Sequence, residues 1–235
     1  KTPETMHRRD HLILLAKNQT GYKNLMKLST ISFVDGFYVK PRIDLDTLAR
    51  YSEGLICCSA CLAGRIPQLL LKNDFEGAKE YALRLKGMFA EGDFYIELQD
   101  HGLEEQKRIL KPLVSLAREI GVKVVATNDA HYLKRTDADT QDTMMCITLQ
   151  CKKTDPVGVR FSNDEFYLKS GEEMERLFDW IPEAIASTKE IADKVDGDYF
   201  VVKYKKTFIP HYENDDMNGR DAKAYLHDLA WERIH

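Results

Sequence analysis

Val122-Lys-Val-Val-Ala-Thr-Asn-Asp-Ala-His131 is the segment that decides the predicted fold, because a short apolar run ends there in polar residues. Such a run, bounded by turn residues, is typical of one buried strand in a parallel sheet. Gly121 directly before it predicts the end of a helix. Asp129 and His131 leave the strand end two residues apart and can converge on one cation there. The alternative is an Asp that caps a helix beside an exposed His, and the pattern alone weighs the two equally.

Three earlier segments extend the same alternation of strand and helix towards the start of the chain. Strands are predicted at residues 11–16, 54–59 and 94–98, and helices at residues 21–32, 65–71, 75–89 and 104–120. Asp74 is the predicted N-cap of the helix that starts at residue 75. Strand–helix units in succession predict an α/β fold with a parallel sheet or a (β/α) barrel, whose chemistry lies at the carboxyl ends of the strands.

The pattern changes after about residue 150. Residues 151–161 are predicted to form a loop, and residues 170–195 two acidic amphipathic helices, with Pro182 near the start of the second. An extended linker follows, and a new helix begins near Arg220. The predicted domains are therefore residues 1–205, a linker at 206–218 and the start of a further domain at 219–235.

Composition excludes several classes of protein. The 235 residues carry a formal net charge of −4, which argues against a nucleic-acid-binding surface for the chain as a whole. No apolar run approaches the roughly 20 residues that span a bilayer. The five cysteines do not resemble a secreted disulfide framework, which indicates the cytoplasm. The chain starts at Lys1 and ends within a predicted helix, so a piece of a larger protein is expected.

Two further residues are candidate metal ligands. His11 opens a predicted strand, where a lone His is more often a hydrogen-bonded core residue than a ligand. Cys61 pairs with Cys58 as C-x-x-C, but no second such pair lies at zinc-finger distance. Together His11, Cys61, Asp129 and His131 offer imidazole, thiolate and carboxylate, which suit zinc or another transition metal.

The remaining polar and cysteine positions are weaker candidates. Glu97 lies at the end of the third predicted strand, and Asp100 and His101 follow it, where a polar strand end before a helix is commonplace. The other four cysteines are interpreted as small buried apolar residues: Cys57, Cys58, Cys146 and Cys151. Glycine-rich phosphate loops and the G-x-S-x-G nucleophile motif do not occur in the sequence.

Several motifs in order resemble one family, the polymerase-and-histidinol-phosphatase (PHP) domain of the catalytic alpha subunits of bacterial C-family replicative DNA polymerases. They are residues 11–18, Thr20-Gly21-Tyr22-Lys23-Asn24-Leu25, Glu53-Gly54-Leu55-Ile56, Ser59-Ala60-Cys61-Leu62-Ala63-Gly64 and residues 124–132. Phe208-Ile209-Pro210 and the helix at 225–234 resemble the segment that leads to the thumb and palm of these polymerases. The resemblance runs nearly end to end, with one departure at Arg65, where an acidic residue is usual.

The resemblance implies part of a (β/α)7 barrel of the PHP type with a short C-terminal helical extension. It places His11, Cys61, Asp129 and His131 on family metal-ligand positions, with the remaining ligands upstream of Lys1. The polymerase carboxylates would lie downstream of His235, so neither active site would be complete here. In members with an intact site, the PHP domain is associated with metal-dependent phosphoester hydrolysis, suggested to be 3′–5′ proofreading.

For the parent protein the resemblance implies DNA-templated DNA synthesis with magnesium, on template-primer DNA and deoxynucleoside triphosphates. It also implies a sliding clamp, a clamp loader and a proofreading exonuclease as partners. The main alternative is a metal-free structural module that docks the separate exonuclease, and a free-standing phosphatase is a third reading. Because a barrel without its first strands has exposed edges, the isolated chain is expected to self-associate.

Overall fold

The computed structural model describes residues 9–155, 161–195, 197, 212 and 214–234. The chain divides into two compact units, residues 1–200 and residues 201–235. The second unit contains helix α9 (Ala222–Ile234), which agrees with the helix predicted near Arg220. The predicted linker falls largely outside the described residues, so the domain boundaries at 205 and 218 stay predictions.

The described part of the first unit is a four-stranded sheet surrounded by helices. Its strands lie in the order β1 (Ile13–Ala16), β2 (Leu55–Cys58), β3 (Phe94–Leu98) and β4 (Lys123–Ala126). The helices are α1 (Gln19–Val34), α2 (Leu45–Arg50), α3 (Arg65–Leu71), α4 (Phe75–Lys86), α5 (Glu104–Ile120), α6 (Ala138–Leu149), α7 (Gly171–Leu177) and α8 (Pro182–Asp193). β2, β3 and β4 run parallel, which confirms the α/β class and the parallel direction of these three strands.

β1 departs from its prediction in direction and in burial. It pairs with β2 antiparallel, and Ile13 and Leu15 are 43% and 38% exposed. The prediction of a parallel strand covered on both faces was therefore wrong for this segment. Among the described residues β1 lies at one edge of the sheet, with β2 as its one neighbour, and the exposure of Ile13 and Leu15 leaves one of its faces uncovered. An apolar run indicates a strand without revealing which neighbours will cover it.

Local sequence signals set the other element ends. Asp74 accepts a hydrogen bond from the Gly77 N–H at 2.9 Å and caps α4 as predicted. Gly121 adopts the left-handed conformation, with φ of 63°, and ends α5 as predicted. Pro182 lies in the first turn of α8. Of the described helices, none is long and apolar enough to cross a membrane.

Three of the quoted motifs, residues 11–18, 20–25 and 53–56, meet where β1 and α1 approach the start of β2. The Lys17 N–H donates to the Gly54 carbonyl at 2.9 Å, and the Asn24 side chain donates to the Glu53 carbonyl at 3.0 Å. A Cβ atom at Gly21 would lie 2.0 Å from the Gly54 carbonyl oxygen. Glycine at position 21 is therefore a packing requirement.

Candidate functional site

The predicted ligands lie at one edge of the sheet because of the strand directions. The carboxyl ends of the parallel strands β2, β3 and β4 share this edge. Because β1 runs antiparallel to β2, the start of β1 also lies there. The His11 N–H donates to the Ala63 carbonyl at 3.0 Å, and His11 Nδ1 lies 3.6 Å from Cys61 Sγ. The structure therefore brings together one imidazole and one thiol that are 50 residues apart in sequence.

His11 and Cys61 differ in their surroundings. His11 is exposed, so the reading of this residue as a core histidine was wrong. Cys61 is half-buried, and burial raises the pKa of its thiol, with further contributions from the negative charges of Asp129 and Glu97. β2 and β4 both flank β3 and end at this edge, so the loops that follow them leave the same edge of the sheet.

Asp129 and His131 lie in the loop that follows β4. Asp129 has φ of 45°, in the left-handed region. It caps no described helix, since the next helical segment is a short 3-10 turn at Arg135–Asp137 that begins after Lys134. His131 Nδ1 lies 2.8 Å from the Asp129 carbonyl oxygen, to which it donates. Because Nδ1 carries the proton, the lone pair of the imidazole is on Nε2, the arrangement typical of metal-binding histidines.

Glu97 forms a buried hydrogen-bond network that the sequence pattern did not predict. It is 5% exposed and accepts from the Ala60 N–H at 3.0 Å, from Gln99 Nε2 at 2.9 Å and from the Thr127 hydroxyl. Burial raises the pKa of this carboxyl, and these donors act in the opposite direction. An acidic residue inside an otherwise apolar strand was the signal available in the sequence.

His101 is also buried, at 2% exposed, and its hydrogen-bond partners determine its tautomer. Gln106 Oε1 accepts from the His101 backbone N–H at 2.7 Å, so Gln106 Nε2 donates to His101 Nδ1 at 2.8 Å. His101 Nε2 therefore carries the proton and donates to the Asn128 carbonyl at 2.8 Å. Burial lowers the pKa of His101, which favours this neutral form.

The third weak candidate, Asp100, has a local role. It is half-buried and accepts from the Gly102 N–H at 2.8 Å, in the turn that precedes α5. Its contacts agree with the reading of a polar strand end before a helix.

The donor set fits a transition metal in part. Among the described residues, no group of three or more His, Cys, Asp or Glu side chains converges closely enough to hold a metal ion. The pair of His11 and Cys61 supplies two suitable ligand atoms. At the same edge, Gln99 Oε1 and both side-chain polar atoms of Asn128 are buried without a hydrogen-bond partner. The described residues therefore match part of a metal site.

The other cysteines behave largely as predicted. Cys57, Cys58 and Cys146 are buried, and burial raises the pKa of Cys58 to about 12, so this thiol is unreactive at neutral pH. Cys151 is half-buried, so its interpretation as a core residue was wrong. It follows α6, in a segment without further described strands or helices until α7.

Comparisons with known proteins support the family resemblance. Residues 3–101 match the PHP domain. The DNA polymerase III subunit alpha of Borreliella burgdorferi is 49% identical over 224 residues, which cover 95% of this chain and 19% of that protein. The same subunit of Treponema pallidum is 46% identical, over 78% of this chain and 16% of that protein. The same subunit of Thermus aquaticus is 38% identical, over 94% of this chain and 18% of that protein. The chain thus spans about a fifth of the length of the curated relatives it matches.

Proposed function

We propose that this chain, which carries PHP domain sequence and is similar to DNA polymerase III alpha subunits, is a segment of a bacterial replicative DNA polymerase. The observation that carries the proposal is the identity of 49% across 95% of the chain. The protein that contains this segment would extend a primer on template DNA with deoxynucleoside triphosphates and magnesium.

Primer extension tests this proposal. The longer protein encoded with this segment is expected to extend a labelled primer in the presence of Mg2+ and all four deoxynucleoside triphosphates. The 235-residue chain is expected to be inactive in the same assay. A longer protein that extends no primer would contradict the proposal.

We further infer that His11, Cys61, Asp129 and His131 are ligands of a divalent transition metal such as zinc in the longer protein. The 3.6 Å approach of His11 to Cys61 and the Nε2 lone pair of His131 support this inference. When bound, such a metal supplies a Lewis acid for phosphoester hydrolysis. This chain's own contribution is to bind and orient the metal through His11, just before β1, and through the loops that follow β2 and β4.

The second candidate is a structural module that docks a separate proofreading exonuclease. In this alternative the domain holds no metal and serves as a binding surface. The two candidates differ in activity on a 3′-labelled single strand. The hydrolytic candidate predicts nucleotide release by the longer protein, which Asp129→Ala and a chelator abolish. Release that Asp129→Ala leaves unchanged would exclude this site as its source.

Association with a sliding clamp and a clamp loader, and a cytoplasmic location, are part of the same proposal and stay predictions. Self-association of the isolated chain is also a prediction, and sedimentation velocity would measure it. A chain that sediments as a monomer at all concentrations would contradict it.

A further inference from the structure

We propose that Glu97 is a positioning residue that fixes the two ligand-bearing loops relative to each other from the strand between them. The two loops are residues 59–64, which carry Cys61, and residues 127–131, which carry Asp129 and His131. The proposal rests on the proposed metal-binding function and extends it to a residue that contacts neither Cys61 nor His131 directly.

Each carboxylate oxygen of Glu97 binds a different loop. Oε2 accepts from the Ala60 N–H at 3.0 Å, next to Cys61. Oε1 accepts from the Thr127 hydroxyl, two residues before Asp129, and from Gln99 Nε2 at 2.9 Å. β3 lies between β2 and β4, so one side chain on β3 reaches both neighbouring strand ends. All three partners are donors, and an ionised carboxylate can accept from all of them.

The backbone around Ala60 depends on this contact. Ala60 is 2% exposed and has φ of 65°, a left-handed conformation that a residue with a side chain adopts at a cost. Its N–H group is buried, and an unsatisfied buried donor is strongly unfavourable. In return, the Glu97 N–H donates to the Ser59 hydroxyl at 2.9 Å. Glu97 thus binds Ser59 through its backbone N–H and Ala60 through its carboxylate. The residue that follows Ala60 is Cys61.

A second contact from the end of β3 supports the loop after β4. His101 Nε2 donates to the Asn128 carbonyl, immediately before Asp129. The loop of residues 127–131 is therefore bound at Thr127 by Glu97 and at Asn128 by His101. The loop of residues 59–64 is bound at Ala60 by Glu97 and at the Leu62 carbonyl by Gln68, at 2.6 Å. Loss of the Glu97 carboxylate should loosen the loop of residues 59–64 at Ala60, next to Cys61, and weaken the loop of residues 127–131 at Thr127.

The test compares Glu97→Gln with Glu105→Gln, a matched change at an exposed residue in the first turn of α5. In the 235-residue chain without added metal, amide hydrogen exchange is measured at Ala60 and in α5. Loss of a charged acceptor should accelerate exchange at Ala60 by about tenfold or more. Exchange in α5 should change less than exchange at Ala60, although loss of a buried hydrogen-bond partner also lowers the urea midpoint relative to Glu105→Gln.

A third variant, Thr127→Val, separates positioning from general stability. It removes the donor to Oε1 and leaves the Ala60 contact to Oε2, so Ala60 exchange should stay at its original rate. A titration of the longer protein with Co2+ then measures the effect on the site. Its affinity for Co2+ should fall roughly ten- to a hundredfold in Glu97→Gln, as for other residues behind metal ligands. The thiolate–Co2+ charge-transfer band reports Cys61 directly.

The outcomes distinguish the two proposals. Exchange at Ala60 that is equal in Glu97→Gln and Glu105→Gln, or an equal acceleration at all amides, would overturn the positioning role. Co2+ affinity that Cys61→Ser leaves unchanged would instead overturn the metal-binding function. In that case the exchange rates still decide whether Glu97 fixes the loop.

Discussion

Replacement of Gly21 by alanine tests the packing that joins the start of α1 to β2. The added Cβ would lie 2.0 Å from the Gly54 carbonyl oxygen and 2.6 Å from its carbon, whereas real Cβ contacts are essentially never shorter than 3.0 Å. The neighbouring atoms are backbone, so relief requires that α1 and residue 54 separate by about 1 Å. This movement would also strain the hydrogen bond from the Lys17 N–H to Gly54.

The expected loss combines two opposing effects. Overpacking against rigid backbone costs about 3 kcal/mol, and the better helix propensity of alanine offsets about 1 kcal/mol of it. Gly21→Ala should therefore lower the free energy of unfolding by about 2 kcal/mol. Urea denaturation, followed by the helical signal in circular dichroism, measures this loss in unfolding free energy.

Gly171→Ala is the matched control. Gly171 also lies in the first turn of a helix, α7, and a Cβ atom there would meet no atom within 4 Å. This control should be neutral or gain about 0.5 kcal/mol. Equal unfolding midpoints for Gly21→Ala and Gly171→Ala would refute the close approach of Gly21 to Gly54.

Three further changes have expected outcomes. Asp74→Ala should lower the free energy of unfolding by about 1 kcal/mol, because the Gly77 N–H loses its cap, and urea denaturation would show it. Phe178→Ala should cost about 3–5 kcal/mol because the ring is fully buried, and an unchanged thermal midpoint would contradict this packing. Burial lowers the pKa of His101 below its ordinary value of 6.5, so its contribution to stability is complete above that pH and is lost as the pH falls below it. His101→Gln should flatten the fall in unfolding free energy between pH 6.5 and the lower pKa of the folded state, and identical slopes in both proteins would exclude His101 as the source.

Elements with strong local signals were predictable from the sequence. α3 and α5 have the predicted bounds, since apolar periodicity and the stop at Gly121 identify them. α6 was not predicted, because exposed apolar residues such as Ile147 interrupt the pattern of an amphipathic helix. The direction of β1 depends on its neighbours in space, which an apolar run does not encode.

The candidate site was predictable only in part for a related reason. Asp129 and His131 are visible locally as a polar strand end, while the pairing of His11 with Cys61 was implied by family resemblance and depends on the antiparallel β1. The role of Glu97 depends on contacts with residues 37 and 30 positions away. Local pattern cannot report contacts of that kind.

The most direct test of the central claim is the transition-metal content of the longer protein, measured by elemental analysis with single substitutions of the four proposed ligands. We expect bound metal at a stoichiometric level, reduced by His11→Ala, Cys61→Ser, Asp129→Ala and His131→Ala, and unchanged by the exposed control Glu105→Gln. Metal absent from the longer protein, or retained in all four variants, would contradict the account and favour the docking module.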